Sequence, residues 1–415
     1  MATATATAAK RRTFTINFTG DVMLGRLIDQ LFGTQHVHSP EDERIAAGFR
    51  ARHPEVRANA TAPWGSTLPL LQAADLNIIN LETAVTTHAT RWPDKAFNYR
   101  GHPANVARAL QAAGIDCCSL ANNHTLDFGT EGLVETAWTL KRARIAIAGA
   151  GETTDEAISP AILSVPRSSS ADGEQKDEPV VETDRGRRRR RPRTHAIHVH
   201  AASDHPVDWA AVPTFHLIDY STATRAILKR LLTARSSHSH PSLKIFSIHW
   251  GPNYRWQPSD EIRSLAHFLI DECDVDIVHG HSAHHVQGIE CPRPGKLIIY
   301  GCGDFVDDYA LNASYRNDLG ALWRVVVQDE EEEEDEENDE QGGRLRPVRL
   351  EIFPTRIRLF QAQLLDSSDP DHQWLCDRIA ALTEELMDFS SPSSAKPVIR
   401  GERGDRGQLI VDLVD

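Results

Sequence analysis

The chain lacks any run of 18 apolar residues, so no membrane-spanning helix is expected. Its opening, Met1 to Lys10, is small and polar without an apolar centre, so no secretory leader is expected and a cytoplasmic location is the default. Cysteine is sparse: six residues, at 117, 118, 273, 291, 302 and 376, with no C-x-x-C pair. That spacing supports neither a zinc ribbon nor a disulfide framework, and reduced, buried thiols are expected. Several catalytic signatures are also missing. There is no G-x-x-x-x-G-K-[ST] loop and no G-x-S-x-G, and Gly149-Ala-Gly151-Glu152 falls short of a dinucleotide fingerprint. Triphosphate, nicotinamide and serine-hydrolase chemistries are therefore disfavoured.

What is present is the composition of a globular protein. Of 415 residues, 40% are hydrophobic and 25% charged, enough to bury a large core. The net charge of −14 comes mostly from Asp329 to Glu340, which holds eleven acidic residues and no basic one. The remainder is nearly neutral and carries no overall basic footprint for nucleic acid. Residues 168–193 and 329–343 are low-complexity and read as disordered surface insertions. Within the first, Arg187 to Arg191 reads either as a nuclear-import or nucleic-acid patch or as a solvated loop. The expected organisation is a disordered tail at 1–12, one domain at 13–389, and a polar tail at 390–415.

Short apolar runs alternate with amphipathic stretches. Phe14, Ile16 and Phe18 alternate with Thr15, Asn17 and Thr19, which predicts a strand over Thr13 to Val22. Further strands are expected at 76–82, 116–120, 145–148, 243–248, 275–278, 297–300 and 322–327, with more around 350–364. The last two would form a hairpin whose tip is the acidic tract. Helical spacing appears at 103–113, 131–142, 222–232, 259–272 and 373–389. Strands alternating with helices of this length indicate an α/β fold.

Polar residues cluster just after the apolar runs: Asp21, Glu82, Asn123, His124, His249, His281, His284 and Asp304. Strand ends are where α/β sheets gather ligands. Imidazoles mixed with carboxylates suit one or two divalent ions such as manganese, iron or zinc. Asp21, Glu82, Asn123, His249, His281 and His284 are the expected ligands, with Asp21 or Glu82 able to bridge two ions. A cation there would polarise a substrate oxygen and acidify water. His124 is the expected proton donor or anion contact. Asp127 either fixes its tautomer or is a helix N-terminal carboxylate. Arg26 and Asn80 are the expected contacts for an anionic substrate, small or polymeric; for Arg26 a surface salt bridge is the competing reading. His279 and His285 are expected to orient ligands, and Gly280 to let backbone approach a metal. His36, His38, His238 and His240 lie in polar, loop-like segments. Oligomeric state is not legible.

The ordered set Gly20-Asp21-Val-Met-Leu-Gly-Arg26, Asn80-Leu-Glu82, Ala121-Asn-Asn-His124 with Asp127, His249-Trp-Gly251, Gly280-His281-Ser-Ala-His284 and Tyr300-Gly-Cys-Gly-Asp304-Phe resembles the CapA-type capsule-synthesis, or poly-gamma-glutamate biosynthesis, family. The resemblance covers about residues 13 to 328. It implies a metallophosphatase-like fold, a four-layer α/β/β/α sandwich with metals at the sheet ends. It also implies a metal-dependent hydrolase or transferase acting on a phosphoester or a gamma-glutamyl polymer, or else a noncatalytic accessory subunit of polymer assembly. Ordinary metallophosphatases carry His where this chain has Met23, and Asp where it has Glu82. Their Gly-His-x-His is spaced here as Gly280-His281-x-x-His284. Within the branch, Asp304 stands where Asn is more frequent.

Overall fold

The computed structural model describes residues 12–56, 58–166, 194–234, 240–330, 343–388 and 398–414. The expectations for residues 1–11, 168–193 and 331–342 lie outside the described residues. The rest is a mixed α/β structure with two main sheets.

The predicted first strand, β1 (Thr13–Val22), lies in the interior of the larger sheet. On one side β2 (Leu76–Leu81), β5 (Cys117–Ser119) and β6 (Ala146–Ala148) follow in parallel. On the other side β14 (Leu319–Asp329), β15 (Leu345–Arg358), β18 (Leu409–Asp412) and β17 (Val398–Arg403) run antiparallel to one another in turn. β13 (Asp304–Val306) pairs in parallel with the end of β1, and β16 (Gln361–Leu364) pairs with β15. The second sheet holds β7 (Ala161–Pro166), β8 (Thr194–Ser203), β9 (Leu243–His249), β10 (Ile277–His281), β11 (Ile289–Glu290) and β12 (Leu297–Ile299). Its order is β11-β12-β10-β9-β8-β7, parallel from β8 through β9 and β10 to β12. A small pair, β3 (Ala84–Val85) and β4 (Arg100–Gly101), stands apart.

Alternation along the strands sorts their side chains. Ile78 joins a buried cluster with Phe14, Ile16 and Phe18 of β1 and Ile245 and Ile277 of the second sheet. Its neighbour Ile79 joins a different cluster with Ile28, Val106 and Leu110 from helices. In the second sheet, Phe246 and Val278 pack with Leu265 and Leu269 of the helix Asp260–Cys273. Burying each large apolar side chain contributes about 1.5–3 kcal/mol, so strand and helix positions are fixed by the same clusters. The helix Pro103–Ala113 has Pro at its first position, and Gly114 at φ +68° ends it in the left-handed conformation. The predicted hairpin is present, since Asp329 faces Leu345 across β14 and β15.

Two expectations change. Residues 390–415 are not only a polar tail: β18 pairs with β15, and Val411 and Leu413 are buried. Asp329, counted in the acidic insertion, belongs to β14. His36 and His38 lie in an irregular segment, as expected; it leads into the helix Pro40–Arg52, whose N-terminus is capped by Ser39 accepting from the Asp42 N–H. Among the described residues no helix is long and apolar enough to cross a membrane.

Candidate metal centre

The strand register brings the polar ends together. Asp21 lies opposite Asn80 on β2 and opposite Asp304 on β13. His249 lies opposite His281 across β9 and β10. The two sheets are tied here, because His279 Nε2 lies 2.9 Å from the carbonyl oxygen of Thr19 on β1. Gly20 and Gly280 permit the approach: a Cβ at either would collide with a backbone carbonyl, of Gly303 and Tyr300 respectively. For Gly280 the constraint is the neighbouring backbone.

Two groups of candidate ligands result, Asp21 with His249 and His281, and Asp21 with His284 and Asp304, all five residues buried. Within each, the candidate donor atoms lie within 4.8 Å of one another. Asp21 belongs to both. Asn80 donates to its Oδ1 at 2.7 Å, and His284 Nδ1 lies 3.4 Å from its Oδ2 and 2.9 Å from Asp304 Oδ1. His284 sits at φ +62° and Ser282 at φ +103°, backbone strain that a non-glycine residue holds only when its surroundings enforce it.

Glu82 is fully buried, and both its carboxylate oxygens lack a hydrogen-bond partner among the described residues. Burial, then the charges of Asp21 and Asp304, push its pKa well up. Burial and Asp21 raise Asp304 in the same way. Burial depresses His249 and His281 well below the ordinary imidazole value, so both are neutral donors of lone pairs. Ser247 Oγ lies 3.0 Å from both His279 Nδ1 and His281 Nε2, which connects His279 to a ligand candidate. His285 does not play that part. Its Nδ1 faces the Val286 carbonyl, and its ring packs on Trp256 and Tyr315.

His124 forms the wall beside Glu82, with Nε2 3.8 Å from Glu82 Oε1. Its Nδ1 is 2.7 Å from Asp127 Oδ2 and 3.2 Å from Lys95 Nζ. The shorter contact, to an acceptor, places the proton on Nδ1 and leaves Nε2 bare. Burial lowers the His124 pKa to about 4. Asp127 also accepts from the Tyr99 N–H at 2.6 Å and from Lys95. Tyr99 stacks on the His124 ring, with centroids 4.0 Å apart.

A family model described as bacterial capsule synthesis protein PGA_cap matches residues 15–309. The chain belongs to this family. A probable polyglutamine synthesis accessory protein of Mycobacterium tuberculosis is 33% identical over 391 residues, covering 90% of this chain and 92% of that protein. The capsule biosynthesis protein CapA of Bacillus anthracis is 24% identical over 306 residues, covering 71% and 60% respectively. The PGA biosynthesis protein CapA of Bacillus subtilis is 23% identical over 305 residues, covering 70% and 63%. The family resemblance read from the motifs is borne out.

In this PGA_cap chain the predicted Asp21, His249, His281 and His284 converge as ligand candidates. Glu82 borders them, and half-buried Asn123 presents an amide oxygen with no partner among the described residues. Asn80, expected to touch substrate, is instead fully buried between Asp21 and Asn122 and orients the Asp21 carboxylate. Arg26 lies over the Tyr99 ring, with Nε 3.5 Å from Asp308 Oδ2, so the salt-bridge reading is present. Sequence reasoning noted Asp304 as a polar strand end without making it a ligand. It missed Lys95 and Tyr99 altogether, which lie in an irregular segment with no strand end to mark them.

Proposed function

We propose that this PGA_cap chain is a metal-dependent hydrolase or transferase, built as a four-layer α/β/β/α metallophosphoesterase-like sandwich, that acts on a phosphoester or a gamma-glutamyl polymer. The observation that carries the reading is Asp21, one carboxylate shared by two groups of buried His and Asp donors. The donor set fits a divalent transition ion. The unpartnered, buried oxygens of Glu82 and Asp304 Oδ2 fit it too, since buried polar atoms without partners are rare unless an ion or water satisfies them. Asp21, His249 and His281 would hold one ion; Asp21, His284 and Asp304 would hold a second; Glu82 and Asn123 would complete the coordination.

A divalent ion supplies Lewis acidity toward a substrate oxygen and acidifies water. The chain's own residues do the rest. Asn80 keeps the Asp21 carboxylate turned toward both groups. Ser247 and His279 fix the His281 ring. Asp127 holds the Nδ1 proton of His124, so that a proton is moved at Nε2, on the side facing Glu82. Tyr99 shields one face of that ring from water.

A second reading has its own support. The M. tuberculosis relative is named an accessory protein, which favours a noncatalytic binding subunit in polymer assembly. Turnover by purified, metal-loaded protein on generic phosphoesters and on poly-gamma-glutamate separates the two. Metal-dependent product that disappears in His281→Ala supports the enzyme. Full metal occupancy with no turnover on either substrate overturns it in favour of the accessory role.

A further inference from the structure

A band of rings leads outward from the metal centre. Tyr254 packs on the ligand candidate His284, with ring centroids 5.8 Å apart. Tyr315 lies 5.4 Å from Tyr254 and stacks on Trp256 at 5.0 Å. Trp374, on the helix Pro370–Asp388, lies 6.5 Å from Trp256. The Arg378 guanidinium, one turn further along that helix, sits 4.6 Å from the Trp256 ring and 5.3 Å from the Trp374 ring. All five of these residues are half-buried, so each keeps part of its surface in solvent.

Arg378 differs in its pairing from the other cations near the centre. Lys95 is paired with Asp127, Arg26 with Asp308, and Arg316 with Asp318 and Asp371. Among the described residues no carboxylate pairs with Arg378; its contacts are the two indoles. A guanidinium resting against two indole rings loses less freedom when it binds a carboxylate than one free in solvent. Aromatic faces next to it offer surface to flat amide units.

We propose that Tyr254, Tyr315, Trp256, Trp374 and Arg378 form an extended subsite that holds an anionic, amide-linked polymer chain alongside the metal centre. Arg378 takes a side-chain carboxylate, and the rings take the chain's amide planes. This rests on the reading that the protein acts on a gamma-glutamyl polymer, and it adds where the chain lies. On this proposal a chain long enough to run from the metal centre along the rings gains the Arg378 contact, so affinity rises with length.

The test uses the full-length, metal-loaded protein. Trp256 and Trp374 serve as reporters in a fluorescence titration with long-chain poly-gamma-glutamate and with the gamma-glutamyl dipeptide. The long chain is expected to bind more tightly than the dipeptide. Arg378→Gln should weaken long-chain binding about tenfold, the scale of one lost charge-assisted contact, and Arg378→Lys should weaken it less. Thermal melts of both variants establish that they are folded. Equal long-chain affinity in the parent protein and folded Arg378→Gln overturns the subsite, as does a parent that binds the long chain no better than the dipeptide. Arg378-dependent binding without turnover leaves the subsite standing and removes the hydrolase reading. Turnover with Arg378-independent binding does the reverse.

Discussion

The Nδ1 atoms of His249 and His281 lie 2.9 Å apart, on adjacent parallel strands and fully buried. Two neutral imidazoles meeting in this way share at most one proton between them, and Asp21 closes the group. Such a meeting of donors is what a cation resolves. Because Asp21 serves both groups, Asp21→Asn should remove more copurified transition metal than either His281→Ala or His284→Ala alone. Glu82→Ala combined with His281→Ala should remove metal as well. Elemental analysis of the purified proteins checks both expectations. Unchanged metal content in Asp21→Asn would contradict the shared-ligand arrangement.

His124 touches the centre only through the wall at Glu82, so its loss should separate chemistry from metal binding. His124→Ala is expected to keep its metal while turnover falls by about 10²–10⁴-fold, the usual contribution of a positioned acid or base. Asp127→Asn should cost less, because Lys95 and Tyr99 still hold the segment. The loss should shrink for substrates with good leaving groups. Loss of metal from His124→Ala would make the residue a ligand instead.

His200, buried on β8, gives a stability test away from the metal centre. Burial, with the nearby His198, His216 and Lys244, lowers its pKa to about 3, against about 6.5 in an unfolded chain. The unfolded state therefore binds the proton first. The stability contributed by a neutral His200 is complete above about pH 6.5 and is lost as pH falls toward 3. His200→Phe should show a smaller drop in Tm between about pH 7.5 and pH 5 than the parent. An equal drop would show that other groups carry the acid sensitivity.

The end of the chain should matter to the fold. Leu413 is buried in the largest cluster, and its N–H donates to the Val348 carbonyl. Leu413→Ala is expected to cost about 2–3 kcal/mol, at the lower end for a buried leucine. Urea denaturation measures it; a cost below about 0.5 kcal/mol, typical of a surface change, would return this stretch to the status of a tail.

Pro166 and Thr194 face each other across β7 and β8. Replacing 168–193 by a short glycine-rich turn should leave Tm and metal content close to the parent's, because surface connections tolerate length change. A large fall in Tm would show that the segment supports the fold.

Much of this was legible in sequence. β1, β2 and β9 bury alternating or continuous apolar residues, and each delivers its polar residue at the end where a run stops, so Asp21, Glu82 and His249 stood out. The helix Pro103–Ala113 carried its own punctuation in Pro103 and Gly114. β7 and β8 were missed because they flank a low-complexity segment; in β8, Ile197, Val199 and Ala201 do alternate with His198 and His200, but histidine is a weak polar marker. β18 was missed because four residues behind a polar stretch give too short a signal. Lys95 and Tyr99 were invisible for a different reason. Their place beside His124 is set by the irregular path between β3 and β4, and no local rule encodes such a path. Asn80 was found but misassigned, since the sequence shows an amide at a strand end without showing that Asp21 and Asn122 consume it.

The candidate ligands of each group come from distant parts of the sequence. Asp21 closes the first strand, whereas His281, His284 and Asp304 follow only after β2 and the strands β5 to β9 have been made. During synthesis the early carboxylate must therefore wait on the ribosome without its partners. On the proposed ligand assignment, completion of the second group is a late event of biogenesis: a chain truncated before β13 keeps Asp21, His249, His281 and His284 but lacks Asp304.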